Sequence, residues 1–262
     1  MKVVVLTTDT KHHRYFVNRL AQKAEIAVIL EQHGLDYWKS YWKWVNRHHR
    51  TLSSFIDNPY IHLGYPLFNY LQDQFEEKFF EGVPSEFTGL SDMTSFTSVN
   101  DPECVTWAKD YKPEVIVSFG TGLIKKGILE IDALKMNIHR GIIPKYRGLD
   151  SDLWAFYFRD FENVGTTVHL IEPRFDTGNI LEQMFLVIEP HMKAYHIRYY
   201  TSVLATEMVL SILEQVRKKK NVPFQLQELE RGDYYSFIPP IRRYQAIWRF
   251  NQYRKDLLNL AN

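Results

Sequence analysis

Between Met136 and Thr177 the chain gathers side chains that can donate, accept and relay a proton. Asn137 and His139 are two residues apart, so a strand would turn both to one side and Met136 and Ile138 to the other. Near the C-terminal end of a strand in an open α/β sheet, both would face the crevice where such sheets bind ligands. An amide supplies hydrogen-bond donors, and an imidazole takes up a proton near neutral pH. Alone, Asn-x-His is a weak signal. Asp176, two residues before Gly178, reads either as a carboxylate presented from a tight turn or as a plain Asx-turn residue. Between them, Gly141-Ile142-Ile143-Pro144-Lys145-Tyr146-Arg147-Gly148 has glycine at both ends and proline within, which gives the loop a defined path.

The elements that must hold these groups alternate short β-branched runs with helical stretches, the pattern of a mainly parallel sheet wrapped by helices. Val3–Leu6 reads as a first strand, followed by a polar loop and a helix from about Tyr15 to Lys23. Ile26–Leu30 is a second strand, and Glu103–Lys109 fits a short helix. Val115–Phe119 is the clearest central strand, Ile128–Leu134 suits a helix, and Met136–His139 a strand. Thr166–Ile171 is expected as an antiparallel or edge addition. Met192–Lys220 carries the apolar spacing of a long amphipathic helix. The expected fold is thus α/β, a Rossmann-like twisted sheet over residues 1–220, with an extension at 221–262 that forms a helical tail.

A helical insertion at 36–80 stands apart. Tyr37, Tyr41 and Trp44 recur on one helix face beside Trp38 and Trp42. The segment reads as a hairpin packed on the domain or on a second copy in a homodimer. Lys39, Lys43, Arg47 and Arg50 keep a stacking or membrane-surface element open.

A formal charge of +1 gives no electrostatic case for nucleic acid as main partner. The lone Cys104 excludes an internal disulfide and any cysteine-rich metal site, and reads as a packed small side chain rather than a nucleophile. Only His191 and His196 approach metal-ligand spacing, so no metal is expected. No run of 18 apolar residues occurs, no signal peptide is read at Met1, and a cytoplasmic location is the default.

Asn137-Ile138-His139, Ile143-Pro144, Tyr146-Arg147-Gly148, Trp154-Ala155, Gly165-Thr166-Thr167-Val168-His169 and Asp176-Thr177-Gly178 together resemble the ordered signature of the 10-formyltetrahydrofolate-dependent formyltransferases. Arg140 departs from that pattern, standing where the family usually has a small residue or proline. The resemblance implies an N-formyltransferase in which an amine attacks the formyl carbon of 10-formyltetrahydrofolate. Asn137 would donate to the oxyanion, His139 would take the amine proton, and Asp176 would orient the imidazole. It also implies a folate pocket built largely from backbone, with Ser118, Phe119, Gly120, Gly122, Leu123 and Ile124 on one loop and Ile171, Arg174 and Phe175 on the other.

Within that family the acceptor read by elimination is a small amine, a nucleotide-linked amino sugar. The stretch Thr7–Arg14 lacks a glycine-rich phosphate loop, and about 40 residues after the long helix offer little room for a tRNA-binding domain. Thr8, Asp9, Lys11, His12, His13 and Arg14 would meet the acceptor's phosphates at a helix N-terminus, or form a solvated turn; Tyr146 and Arg147 complete the expected acceptor side. A methionyl-tRNA formyltransferase-like enzyme, a formyltetrahydrofolate hydrolase and an inactive folate-binding module remain as alternatives.

Overall fold

The computed structural model describes residues 1–32, 59–80, 82, 84–218 and 221–260. The rings and cations expected on the face from Tyr37 to Arg50 lie outside the described residues.

Seven strands form the main sheet: β1 (Lys2–Thr7), β2 (Glu25–Glu31), β3 (Asp92–Phe96), β4 (Val115–Phe119), β5 (Leu134–His139), β7 (Gly165–Leu170) and β8 (Ile180–Phe185). Their spatial order is β3-β2-β1-β4-β5-β7-β8. The first five in that order run parallel; β7 pairs antiparallel with β5 and β8 antiparallel with β7. A two-stranded sheet pairs β6 (Tyr146–Gly148) with β9 (Asp233–Tyr235). The helices are α1 (Lys11–Ala21), α2 (Pro59–Phe79), α3 (Pro102–Tyr111), α4 (Lys126–Leu129), α5 (Ser151–Tyr157), α6 (Ile197–Arg217) and α7 (Pro240–Leu260). The fold is the expected Rossmann-like one. From β1 the chain first winds outward through β2 and β3, then returns to β4 and β5 on the other side. That reversal opens a crevice at the C-terminal ends of β1 and β4, the usual ligand position in such sheets.

Both faces of the sheet are covered, which is why its central strands read as continuous apolar runs. Val3, Val5, Val117, Met136 and Ile138 face Phe16 and Leu20 of α1 and Met208 and Ile212 of α6. Val4, Leu6, Ile29 and Ile116 face Cys104 and Ala108 of α3 and Ile128 of α4. Burial pushes the Cys104 thiol up to about 12, so it is packed and inert. A third cluster is aromatic: Tyr146, Trp154, Phe156 and Phe161 meet Phe68 of α2 and Ala246 and Phe250 of α7. The helical tail is thus sealed into the body, and Phe250 is fully buried.

Several boundaries differ from those expected. α1 begins at Lys11, not Tyr15, because Thr10 is extended and accepts the Arg14 N–H, closing the first turn over residues that read as loop. The helix expected at Ile128–Leu134 is a single turn, since Leu134 already joins β5 opposite Val115. β7 is antiparallel but not an edge; β8 lies outside it. β3 and β8 were not anticipated, as their polar, half-exposed residues lack a clean alternation. α6 begins at Ile197, with Ala194–His196 forming a separate turn before it.

α2, the described part of the insertion, packs on the body. Phe75 stacks on His196 with ring centroids 3.7 Å apart, and the buried Glu76 pairs with Arg198 of α6. His196 is therefore part of a packing contact, and His191 pairs with Glu189 at 3.1 Å. Among the described residues no group of three or more His, Cys, Asp or Glu could hold a metal ion, and no helix is long and apolar enough to cross a membrane.

Candidate functional site

The antiparallel register of β5 and β7 sets Asn137 opposite His169 and His139 opposite Thr167. Four polar side chains therefore share one face, at the end of the strand beside the sheet's reversal. The loop after β7 then brings Asp176 back over that face. Its backbone takes the left-handed region with φ of 52°, a conformation that costs a residue other than glycine on the order of 1–3 kcal/mol. Gly178 makes the return possible, since a Cβ there would collide with the carbonyl oxygen of Leu170.

Asp176 joins the groups. Its Oδ2 lies 3.3 Å from Nδ1 of His139 and accepts the Gly148 N–H at 2.8 Å. Its Oδ1 accepts from Nδ2 of Asn137 at 3.4 Å and lies 3.4 Å from Nε2 of His169. The Asn137 amide also reaches Nε2 of His169 at 3.0 Å, while Nδ1 of His169 pairs with the carbonyl of Leu170 at 2.8 Å. A carbonyl only accepts, so His169 carries its proton on Nδ1 and receives the Asn137 N–H on Nε2.

His139 lies between two acceptors. Its Nε2 meets the Tyr146 carbonyl at 2.7 Å, with Ser151 Oγ 3.2 Å away, and its Nδ1 faces Asp176. The short carbonyl contact places the proton of the neutral ring on Nε2, which leaves the Nδ1 lone pair toward the carboxylate. Burial lowers the His139 pKa below its ordinary value, although Asp176 and the Tyr146 carbonyl work against that. For Asp176, burial alone would raise the pKa; the imidazoles of His139 and His169 and the Gly148 N–H outweigh it and hold the carboxyl at about 2. At neutral pH the pair is thus a carboxylate facing a neutral imidazole, with an acceptor ready at each nitrogen for the imidazolium.

These groups floor a cleft of about 450 Å³. Ser118 to Ile124, following β4, form one wall; Ile171, Glu172, Arg174 and Phe175 form another. Side chains of the body fix the first wall. Glu31, at the end of β2, accepts the Gly122 N–H at 2.7 Å and the Val99 N–H at 3.1 Å. Asn100 donates to the Leu123 carbonyl at 2.8 Å and accepts the Lys125 N–H at 2.7 Å. His12, His13, Arg140, Asp150 and Asp152 complete the lining, with the rings of His12 and His13 packed against Phe119.

A family model described as "Formyl transferase" matches residues 75–212, just over half of the chain and all of β4, β5, β7 and the Asp176 loop. The chain belongs to the formyl transferase family. Among curated relatives, the methionyl-tRNA formyltransferase of Chlorobium chlorochromatii is 28% identical over 122 residues, 46% of this chain and 38% of that protein. The methionyl-tRNA formyltransferase of Caldanaerobacter subterraneus is 29% identical over 141 residues, 53% of this chain and 45% of that protein. The chain thus spans less than half the length of these two relatives. In fold it resembles a sugar N-formyltransferase from a Shewanella species, with TM-score 0.55 and 15% identity over 95% of this chain and 87% of that one. HypX from Aquifex aeolicus in complex with tetrahydrofolic acid gives TM-score 0.57 at 16% identity over 98% of this chain and 34% of that one.

In this member of the formyl transferase family, every residue expected on the two folate loops lines the cleft, as do Asn137, His139 and Asp176. The glycine at 120 has a local reason. Its φ is 77°, and a Cβ there would come within 2.6 Å of the His13 ring, so the space serves the chain's own imidazole. Of the expected acceptor residues, His12 and His13 line the cleft. Thr8 is buried and bonded to Nδ1 of His13 at 2.9 Å. Arg14 pairs with Asp9 at 2.6 Å, and Lys11 pairs with Glu77. Tyr146 is buried with its hydroxyl on Asp160, and Arg147 donates to the carbonyls of Leu229 and Gly232. None of these six side chains reaches the cleft lining. Sequence reasoning gave no role to His169, Glu172, Asp150, Asp152 or Tyr234. His169 shares the strand face of Thr167 two residues on, a visible signal, but its partner Asn137 follows only from the pairing of β5 with β7.

Proposed function

We propose that this protein transfers a formyl group from 10-formyltetrahydrofolate to the amine of a small acceptor, with Asn137, His139 and Asp176 at the reacting atoms. The observation that carries this reading is the convergence of those three side chains on the floor of a cleft with a loop-built wall to each side. The lining near the two loops combines the apolar residues Phe119, Ile124, Ile171 and Phe175 with loop backbone, which suits a flat heteroaromatic ring. Tetrahydrofolic acid bound to HypX, a protein of similar fold, supports a folate donor.

The amine nitrogen bonds to the formyl carbon, and the carbonyl oxygen becomes an oxyanion. Asn137 turns one amide N–H to it, releasing the longer contact to Asp176 while His169 holds the other. His139 takes the proton that the amine loses. The imidazolium then donates to the Tyr146 carbonyl and to Asp176 together, which offsets the burial that disfavours its charge. As the bond from carbon to the folate nitrogen breaks, the proton passes to that nitrogen. No covalent enzyme intermediate is required.

The acceptor on this reading is a nucleotide-linked amino sugar. Its support is the near-neutral charge of the chain and the likeness in fold to a sugar N-formyltransferase of comparable length. The test is a panel of nucleotide-linked amino sugars, free amino sugars and methionyl-tRNA, each incubated with 10-formyltetrahydrofolate and read by tetrahydrofolate release and product mass. A formamide on a sugar is the expected product. Donor release without any formylated amine, or preferential formylation of methionyl-tRNA, would refute it.

A further inference from the structure

Arg140 follows directly on His139, past the last residue of β5. It lines the cleft together with His12 and His13 of α1 and with Asp150 and Asp152 at the start of α5. A guanidinium carries five donors and stays charged at all ordinary pH values. In this structure they have no protein destination. Among the described residues no acceptor hydrogen-bonds the group and no carboxylate comes within 4.0 Å of it. Asp152, Glu76 and Asp150 act on it only through space.

Each of those carboxylates is held elsewhere. Glu76 is bonded to Arg198 and lies 3.4 Å from Nδ1 of His12. Asp150 accepts the Ile238 N–H at 2.9 Å, and Asp152 accepts the Leu153 N–H at 2.9 Å. His12 and His13, the imidazoles beside it, are kept neutral by burial and so add no competing charge; Nδ1 of each is turned to a protein acceptor, the Thr8 carbonyl for His13 at 3.0 Å and Glu76 for His12. A partly buried guanidinium with its carboxylates occupied and open cleft beside it is a receptor for an oxyanion.

We infer that Arg140 binds an oxyanion of the acceptor, making it the residue that selects a small amine bearing a phosphate or carboxylate. The word acceptor rests on the transfer reading above; the anion site does not. Among the described residues Arg140 has no hydrogen-bond or ion-pair partner, so replacing it breaks no such contact.

The experiment is calorimetric titration of the full chain with inorganic pyrophosphate and with succinate, the phosphate and carboxylate arms, alongside tetrahydrofolate as the control. At least one anion binds the unsubstituted chain, and Arg140→Gln weakens it at least about tenfold, the effect of losing a charge-assisted hydrogen bond. Arg140→Lys recovers part of the loss, and Arg140→Met matches Gln. Tetrahydrofolate affinity is the same in all four chains. Neither anion binding, anion affinity in the Gln and Met variants equal to that of the unsubstituted chain, or a parallel loss of tetrahydrofolate affinity would overturn the inference. A chain that binds pyrophosphate through Arg140 yet formylates no amine would leave it standing and remove only the transfer reading.

Discussion

The two sides of the cleft are built differently. The wall from Ser118 to Ile124 presents mainly backbone, and its shape is imposed from behind by two side chains, Glu31 and Asn100, that bond main-chain groups of the loop. The rest of the lining presents side chains: His12 and His13 from α1, packed against Phe119, Arg140 just past β5, and Asp150 and Asp152 at the start of α5. A backbone wall keeps its chemistry under most substitutions, because every residue carries the same donor and acceptor. A side-chain wall changes its chemistry with each substitution. On the proposed transfer reading, a donor side built of backbone can stay constant while an acceptor side built of side chains adapts, with Asn137, His139 and Asp176 between them.

That contrast is sharpest in a variant of the floor. His139→Ala is expected to lower kcat by about 10²–10⁴ through loss of the general base, with tetrahydrofolate affinity nearly unchanged, because the donor wall makes no use of the imidazole. Equilibrium titration beside single-turnover rates reads both. A collapse of folate affinity would mean that the floor and the donor wall are one site. Asn137→Ala comes next, a loss of about 10²–10³ in kcat through one missing oxyanion donor. An Asn137→Ala enzyme at full rate would remove the amide from the mechanism.

Glu31→Ala tests the wall from behind. The buried Val99 N–H and the part-buried Gly122 N–H lose their acceptor, at a cost of about 1–3 kcal/mol, which frays the loop at Gly122. Tetrahydrofolate affinity should drop by roughly five- to a hundredfold, with the pH profile of the rate unmoved. An unchanged affinity would show that this loop is not the folate wall.

The smallest effects are those of pH. His139 acts as a base only when neutral, and burial holds its pKa below 6.5, so the rate should rise with pH to a midpoint under 6.5 and stay level through neutrality. A midpoint above 6.5 would contradict the buried geometry. Stability follows the same sign. His12, His13 and His139 are all buried with lowered pKa values, so below 6.5 the unfolded chain binds protons that the folded chain refuses. Stability is fully present above 6.5 and falls as pH drops, by up to about 1.4 kcal/mol per pH unit for each histidine. Denaturant unfolding at pH 7.5, 6 and 5 measures it.

The shared strand face of Asn137 and His139 and the central strands Val3–Leu6 and Val115–Phe119 were readable from residue types and spacing, while Asp176 was named as a site residue only through the resemblance of the ordered signature. Two-residue spacing fixes which side chains share a strand face, and β-branched runs buried on both faces leave little alternative to a parallel sheet. What lay beyond reach depended on pairing between distant segments. His169 joins the site only because β7 reverses direction against β5, and Asp176 only because the loop at Gly178 passes tightly under Leu170. The stretch Lys11–Arg14 read as one polar unit, yet helix geometry divides it: His12 and His13 turn into the cleft, while Lys11 and Arg14 pair away from it. Sequence determined which chemistry was present and on which strand; tertiary structure decided which of those groups would meet, because contacts across a sheet are set by register and burial, and neither is local to the residues involved.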